Sequence, residues 1–182
     1  TGQFLQRHFA ARVSLMCPDY RPQFFAESVS KIDRWINTLK AQHASVAVLG
    51  SSMGGWQGLH ASLRHPEPEF LLLNPVLDPD TLRETGEREP ARDNRSGVEL
   101  PWPDLTADNF PAVPVPRLDA GRLRLLIGRN DDVVAPGPTL AACRQYGLAH
   151  RVFDWGHRAD FGAEFKAEIN ALIERAEQAA LH

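Results

Sequence analysis

The chain has 182 residues, 43% of them hydrophobic and four of them tryptophan, which is enough for one folded domain with a sizeable core. A formal net charge of −3 provides no electrostatic footprint for nucleic acid or for an acidic membrane surface. Two cysteines, Cys17 and Cys143, make no disulfide framework; both stand in apolar stretches and read as buried free thiols of a reducing cytoplasm, and no apolar run approaches the length of a membrane span.

The N-terminus, Thr1-Gly2-Gln3-Phe4, carries neither a signal-peptide pattern nor an initiator Met and reads as a processed or truncated start. Phe4, Leu5, His8 and Phe9 give a short helical face. Arg12-Val13-Ser14-Leu15-Met16-Cys17 predicts a buried strand, ended by Pro18-Asp19. From Pro22 to Lys40 the apolar residues Phe25, Val29, Ile32, Ile36 and Leu39 recur at helical spacing, with Pro22 suited to the first turn. Ala44 to Leu49 is an apolar, β-leaning run that leads into Gly50-Ser51-Ser52-Met53-Gly54-Gly55. Trp56 to His65 then reads as a helix stopped by Pro66; Gly54, Gly58 and Ala61 form a small-residue stripe that lets it approach a sheet closely. Phe70 to Asn74 is a further strand, closed by Pro75.

The segment from Asp78 to Gly121 breaks this rhythm. It holds seven of the 14 prolines, which excludes regular helix or central strand. It predicts an inserted, lid-like excursion over the sheet, anchored by Trp102 and Phe110, with Thr85 to Gly97 as its mobile inner part. Leu123 to Gly128 is a strand, Pro138 to Tyr146 a helix with Gly147 as its stop, and Ala149 to Phe153 the last strand. Phe161, Phe165, Ile169, Leu172 and Ile173 mark one face of a long final helix. Five strands alternating with helices predict a single α/β domain over 1–182, its mostly parallel sheet covered on both faces.

Strand, sharp turn and helix around Gly-x-Ser-x-Gly have a mechanical meaning. Gly50 and Gly54 lack the Cβ atoms that would collide where strand and helix nearly touch, and Ser52 is held at the tip of a strained elbow. The Met53 N–H, at the start of the helix, can donate to a developing oxyanion. A serine hydroxyl is a weak nucleophile that needs a base, and the base needs an orienting carboxylate. The chain supplies both in the order that suits an open α/β sheet: Asp131 or Asp132 after the strand ending at Gly128, and His157 after the strand ending near Phe153. Spacing from Gly128 and the Val133-Val134 pair favour Asp131; an isolated aspartate in such a turn would ordinarily accept local backbone N–H groups. His8, His43, His60, His65 and His150 fall in or beside helices and strands away from that edge, and His182 is terminal. No metal-ligand spacing, G-x-G-x-x-G or P-loop is present, so neither a metal nor a nucleotide cofactor is expected.

These residues resemble an α/β-hydrolase and, more narrowly, the small YqiA-like esterases. The resemblance spans nearly the whole chain and rests on Cys17-Pro18-Asp19-Tyr20, the Gly50–Gly55 elbow, Leu73-Asn74-Pro75-Val76, Asp131-Asp132-Val133-Val134 and Gly156-His157. It implies Ser52 as nucleophile, Asp131 as acid, His157 as base, and an ester or acyl-CoA-like thioester as the small-molecule substrate. Family members carry a preceding strand and a His-Gly-Phe-type loop that donates the second oxyanion N–H, and this sequence begins downstream of where they would stand. The acid loop also has one residue more than the common pattern, which keeps Asp132 open. The reading is a serine esterase or thioesterase without cofactor, nucleic acid or membrane partner, and, without the upstream loop, a weak catalyst. Its rival is a hydrolase-like binding module with little or no turnover; a peptidase is less well supported, since nothing marks a peptide groove.

Overall fold

The computed structural model describes residues 2–17, 25–77, 91–92, 99–100 and 110–181. In chain order the elements are α1 (Gly2–Phe9), α2 (Phe25–Gln42), β1 (Ala47–Ser51), α3 (Met53–Ser62), β2 (Glu69–Leu73), β3 (Ala91–Arg92), β4 (Glu99–Leu100), β5 (Leu123–Gly128), α4 (Pro136–Tyr146), β6 (Ala149–Phe153) and α5 (Ala163–Ala179).

β1, β2, β5 and β6 form one parallel sheet in that spatial order. Parallel neighbours need a long crossover, and α3 and α4 supply it between β1 and β2 and between β5 and β6. The register sets Ser51 opposite Leu73, Leu73 opposite Leu126, and Gly128 opposite Phe153, so the carboxyl ends of all four strands finish along one edge. The inner strands β2 and β5 read as mainly apolar runs because both faces are covered. Phe70, Leu72, Leu125 and Ile127 pack with Ile36, Trp56, Leu59 and Cys143 of α2, α3 and α4. Leu71, Leu73 and Leu126 pack on the other side with Leu5, Phe9, Phe165 and Ile169 of α1 and α5. Among the described residues no helix is long and apolar enough to cross a membrane.

Three sequence expectations are corrected. Arg12–Cys17 is not a strand, and the main sheet has four strands rather than five. Arg12 and Val13 stand in the turn that follows α1, their N–H groups donating to Phe9 O; Val13 and Leu15 lie against the α5-side cluster, and Ser14 and Met16 are exposed. A strand exists only through a neighbour's hydrogen bonds, and a cavity of about 330 Å³ is lined by Val13, Ser14 and Leu15 together with Val46, Ala47 and Leu49 at the β1 edge. For the same reason Cys17, expected to be buried, is exposed, whereas Cys143 is buried and its thiol is pushed up to about 11. Within the 78–121 excursion, β3 and β4 pair antiparallel as a separate two-stranded sheet. Phe110 is buried and stacks on Trp56 at 5.1 Å, as an anchor should; Trp102 and most of 85–97 lie outside the described residues.

The described return of the excursion is tied to the back of α3. The Trp56 indole N–H donates to the Pro111 carbonyl at 3.2 Å, and His60 Nε2 stands 3.1 Å from the same oxygen. A carbonyl only accepts, so His60 donates through its Nε2–H. The imidazole is buried between the Phe25 and Trp56 rings, 4.9 and 5.1 Å away. Burial pushes its pKa below the usual histidine value; the Pro111 carbonyl works against this and the Arg64 guanidinium adds to it. The unfolded chain therefore takes up a proton near about pH 6.5 that folded His60 refuses. This contribution to stability is complete above that pH and declines as the pH falls through it. Urea titrations should show the unfolding free energy of the wild type dropping more steeply from about pH 7 to 5 than that of His60→Gln. Identical slopes for the two proteins would refute the assignment.

Candidate active site

The elbow forms as the sequence requires. Ser52 lies between β1 and α3 with φ 54 and ψ −118, a conformation that L-residues rarely hold. A Cβ on Gly50 would run into the carbonyl of Gly54, so strand and helix meet this tightly only without one. The Ser52 N–H donates to Leu73 O at 2.9 Å, which fixes the turn to the end of β2, and Trp56 N–H donates to Ser52 O at 3.0 Å, which starts the helix. The Ser52 side chain makes no capping hydrogen bond to α3, so the half-buried hydroxyl is not engaged by the helix it precedes. Met53 is the first residue of α3, where backbone N–H groups have no partner within the helix.

Two strands away, β5 ends at Gly128 and delivers Asp131. Its carboxylate is buried; Oδ1 accepts the Val133 and Val134 N–H groups, both at 2.8 Å. The two oxygens lie 3.1 and 3.0 Å from His157 Nδ1. A carboxylate accepts only, so Nδ1 carries the proton and neutral His157 keeps a free lone pair on Nε2. Asp131 is thus both the local turn acceptor and the partner of His157, and Asp132 next to it is exposed. The geometry brings Asp131 and His157 together and places Ser52 and Met53 at the same sheet edge. The Ser52 hydroxyl makes no hydrogen bond with His157.

Two residues that sequence reasoning did not assign hold these loops together. Gly128 allows the acid loop to lie against the histidine loop: a Cβ there would stand 2.5 Å from both the Gly156 carbonyl oxygen and Trp155 Cδ1. Asn74, directly after β2, is buried with φ 42 and bonds to Gly128, Gly156 and His157. The available signal was Asn74-Pro75 at the end of an apolar strand whose neighbours all end in candidate site residues.

No family model matches this chain, and no curated protein matches it. Solved structures do. A monoacylglycerol lipase of Paleococcus ferrophilus superposes with a TM-score of 0.63 at 14% identity, covering 100% of this chain and 88% of the lipase. A structure from work on carboxylesterases of the thaumarchaeon Nitrososphaera gargenis gives 0.58 at 13% identity over 85% of this chain and 73% of that one. A hydrolase from Pseudomonas aeruginosa gives 0.54 at 16% identity over 86% and 74%. The chain has the α/β-hydrolase fold.

In that fold the close approach at Gly128 carries a direct consequence. Gly128→Ala should force the acid and histidine loops apart, because the obstructing atoms are largely backbone. We expect destabilisation of about 3 kcal/mol, the upper end for overpacking, read as a lower midpoint in urea. An unchanged midpoint would mean that the two loops are not in contact in solution.

Proposed function

We propose that the protein is a serine hydrolase of carboxylic esters or thioesters, in the manner of the small YqiA-like esterases that its motifs resemble. One observation carries the reading: a hydrogen-bonded Asp131–His157 pair and a strained Ser52 elbow share the carboxyl edge of one parallel sheet. The lipase and carboxylesterase work among the fold relatives supports it.

In this reading Ser52 Oγ attacks the acyl carbonyl carbon while His157 Nε2 takes the hydroxyl proton. Asp131 holds the imidazole with Nδ1–H toward the carboxylate and stabilises the imidazolium that forms. The Met53 N–H donates to the tetrahedral oxyanion. The oxyanion collapses, the C–O or C–S bond breaks, and the alcohol or thiol leaves with the proton from His157. Water then attacks the acyl-enzyme with His157 again as base and releases the acid and Ser52. We assign the acyl pocket to the side of the 78–121 excursion, whose return lies on Trp56 of the elbow helix.

A Ser52 hydroxyl with no hydrogen bond to the described residues favours a second reading, a hydrolase-like binding module without turnover. A fluorophosphonate probe separates the two, because covalent labelling needs an activated serine. We expect labelling of the wild type and none of Ser52→Ala, with ester hydrolysis lost by about 10⁶-fold in the variant and folding retained. Absence of labelling and turnover in the folded wild type would select the binding module.

The acid is tested by a pair of substitutions. Asp131→Asn would donate an amide N–H to Nδ1 and so hold the wrong imidazole tautomer, which should lower kcat by about 10⁴, the cost of the corresponding change in chymotrypsin-type triads, whereas Asp132→Asn should leave it within about threefold. A larger loss in Asp132→Asn would transfer the acid role to that residue.

A further inference from the structure

Asn74 forms a polar junction at the carboxyl edge of the sheet, and nothing in the chemistry above uses it. It directly follows β2, the strand that lies between the elbow strand β1 and the acid strand β5. Its own N–H continues the ladder by donating to Leu126 O at 2.8 Å. Its side chain then makes three further bonds. Nδ2 donates to the carbonyl oxygens of Gly156 at 3.1 Å and His157 at 2.9 Å, and Oδ1 accepts the Gly128 N–H at 2.6 Å. The partners fix the orientation of the amide: two carbonyls can only accept, and a backbone N–H can only donate. Few side chains meet these demands together. The site needs two donors and one acceptor on a short arm, on a backbone at φ 42, where asparagine is among the few non-glycine residues tolerated.

We propose that Asn74 is a positioning residue: it clamps the main chain of His157 to the end of the acid strand and so holds the imidazole against Asp131. The clamp grips His157 by its own carbonyl, and it grips the acid loop at Gly128, from which Asp131 N–H also returns to Gly128 O at 3.3 Å. The same residue is linked to the elbow, since the carbonyl of Leu73 just before it accepts the Ser52 N–H. Asn74 thus lies between all three candidate groups without touching a reacting atom. If the amide is lost, the histidine loop keeps its strand bonds but not the carbonyl grip, and the ring is free to turn its Nδ1 away from Asp131.

The kinetic part of the test rests on the hydrolase reading; the spectroscopic part rests only on the Asp131–His157 contact. Two variants divide the residue's roles. Asn74→Gly tolerates the positive φ and removes the whole amide. Asn74→Asp keeps size and the acceptor for Gly128 and removes both donors. His157 ring nitrogens are followed by ¹⁵N–¹H correlation at about pH 8, above the ordinary histidine range. The wild type should show the Nδ1–H tautomer alone, and the variants a mixture with Nε2–H. Ester turnover should fall about 10²-fold in kcat, the size of effect that a misplacement near 1 Å produces, with KM changed by less than about twofold. A pure Nδ1–H tautomer in both folded variants overturns the proposal, whatever happens to kcat. Hydrogen exchange of the Asn74 side-chain amide in the wild type tests the clamp without substitution, and exchange at the rate of a free amide also overturns it. A wild type that turns over no ester while the variants lose the tautomer would sink the hydrolase reading and leave the clamp standing.

Discussion

Each loop of the candidate site is held by a backbone hydrogen bond that extends the parallel ladder just past the end of its strand. Ser52 N–H reaches Leu73 O at 2.9 Å, Asn74 N–H reaches Leu126 O at 2.8 Å, and Arg129 N–H reaches Phe153 O at 2.8 Å. Asn130 N–H adds a bond to Trp155 O at 3.1 Å. Parallel pairing slants its bonds toward the next strand, so the last donor of one strand grips the end of its neighbour. The elbow, the Asn74 turn, the acid loop and the histidine loop therefore form a chain of four linked ends rather than four independent loops. Misplacing any one of them strains the next.

The elbow is held under backbone strain. A non-glycine residue at φ 54 costs on the order of 1–3 kcal/mol and persists only where its surroundings leave no alternative. Here the surroundings are rigid. α3 is buried continuously from Gly55 to Ala61, Trp56 and Leu59 are fully enclosed, and Gly58 lies against Leu72 so closely that a Cβ would stand 2.5 Å from its Cδ2. The helix cannot shift away from the sheet to relax Ser52 without opening that packing, and burial of side chains such as these is worth about 1.5–3 kcal/mol apiece. The helix also holds the chain at Pro111 through Trp56 and His60, so that stretch and the elbow share one support.

Much of this was legible in the chain itself. Glu69–Leu73 and Leu123–Gly128 were readable because mainly apolar runs bounded by turn residues describe strands buried on both faces, and Gly50-Ser51-Ser52-Met53-Gly54 because its glycines answer a steric demand local to the turn. The chain order of Ser52, Asp131 and His157 placed them at one sheet edge once parallel pairing was inferred. These are properties of neighbours in sequence, or of a topology with few alternatives.

What only the tertiary structure decided are the features that need a partner far along the chain. Arg12–Cys17 has the composition and alternation of a strand and is none, because a ladder requires a second backbone at hydrogen-bonding distance and β1 does not lie there. Asp131 and Asp132 are adjacent and chemically identical; burial of one beside His157 and exposure of the other separate them. Asn74 looked like the end of a strand, and its three side-chain bonds reach residues between 54 and 83 positions away. Periodicity and spacing carry local geometry, whereas the approach of one loop to another depends on how four strands stack, and that is set by the packing of both faces of the sheet at once.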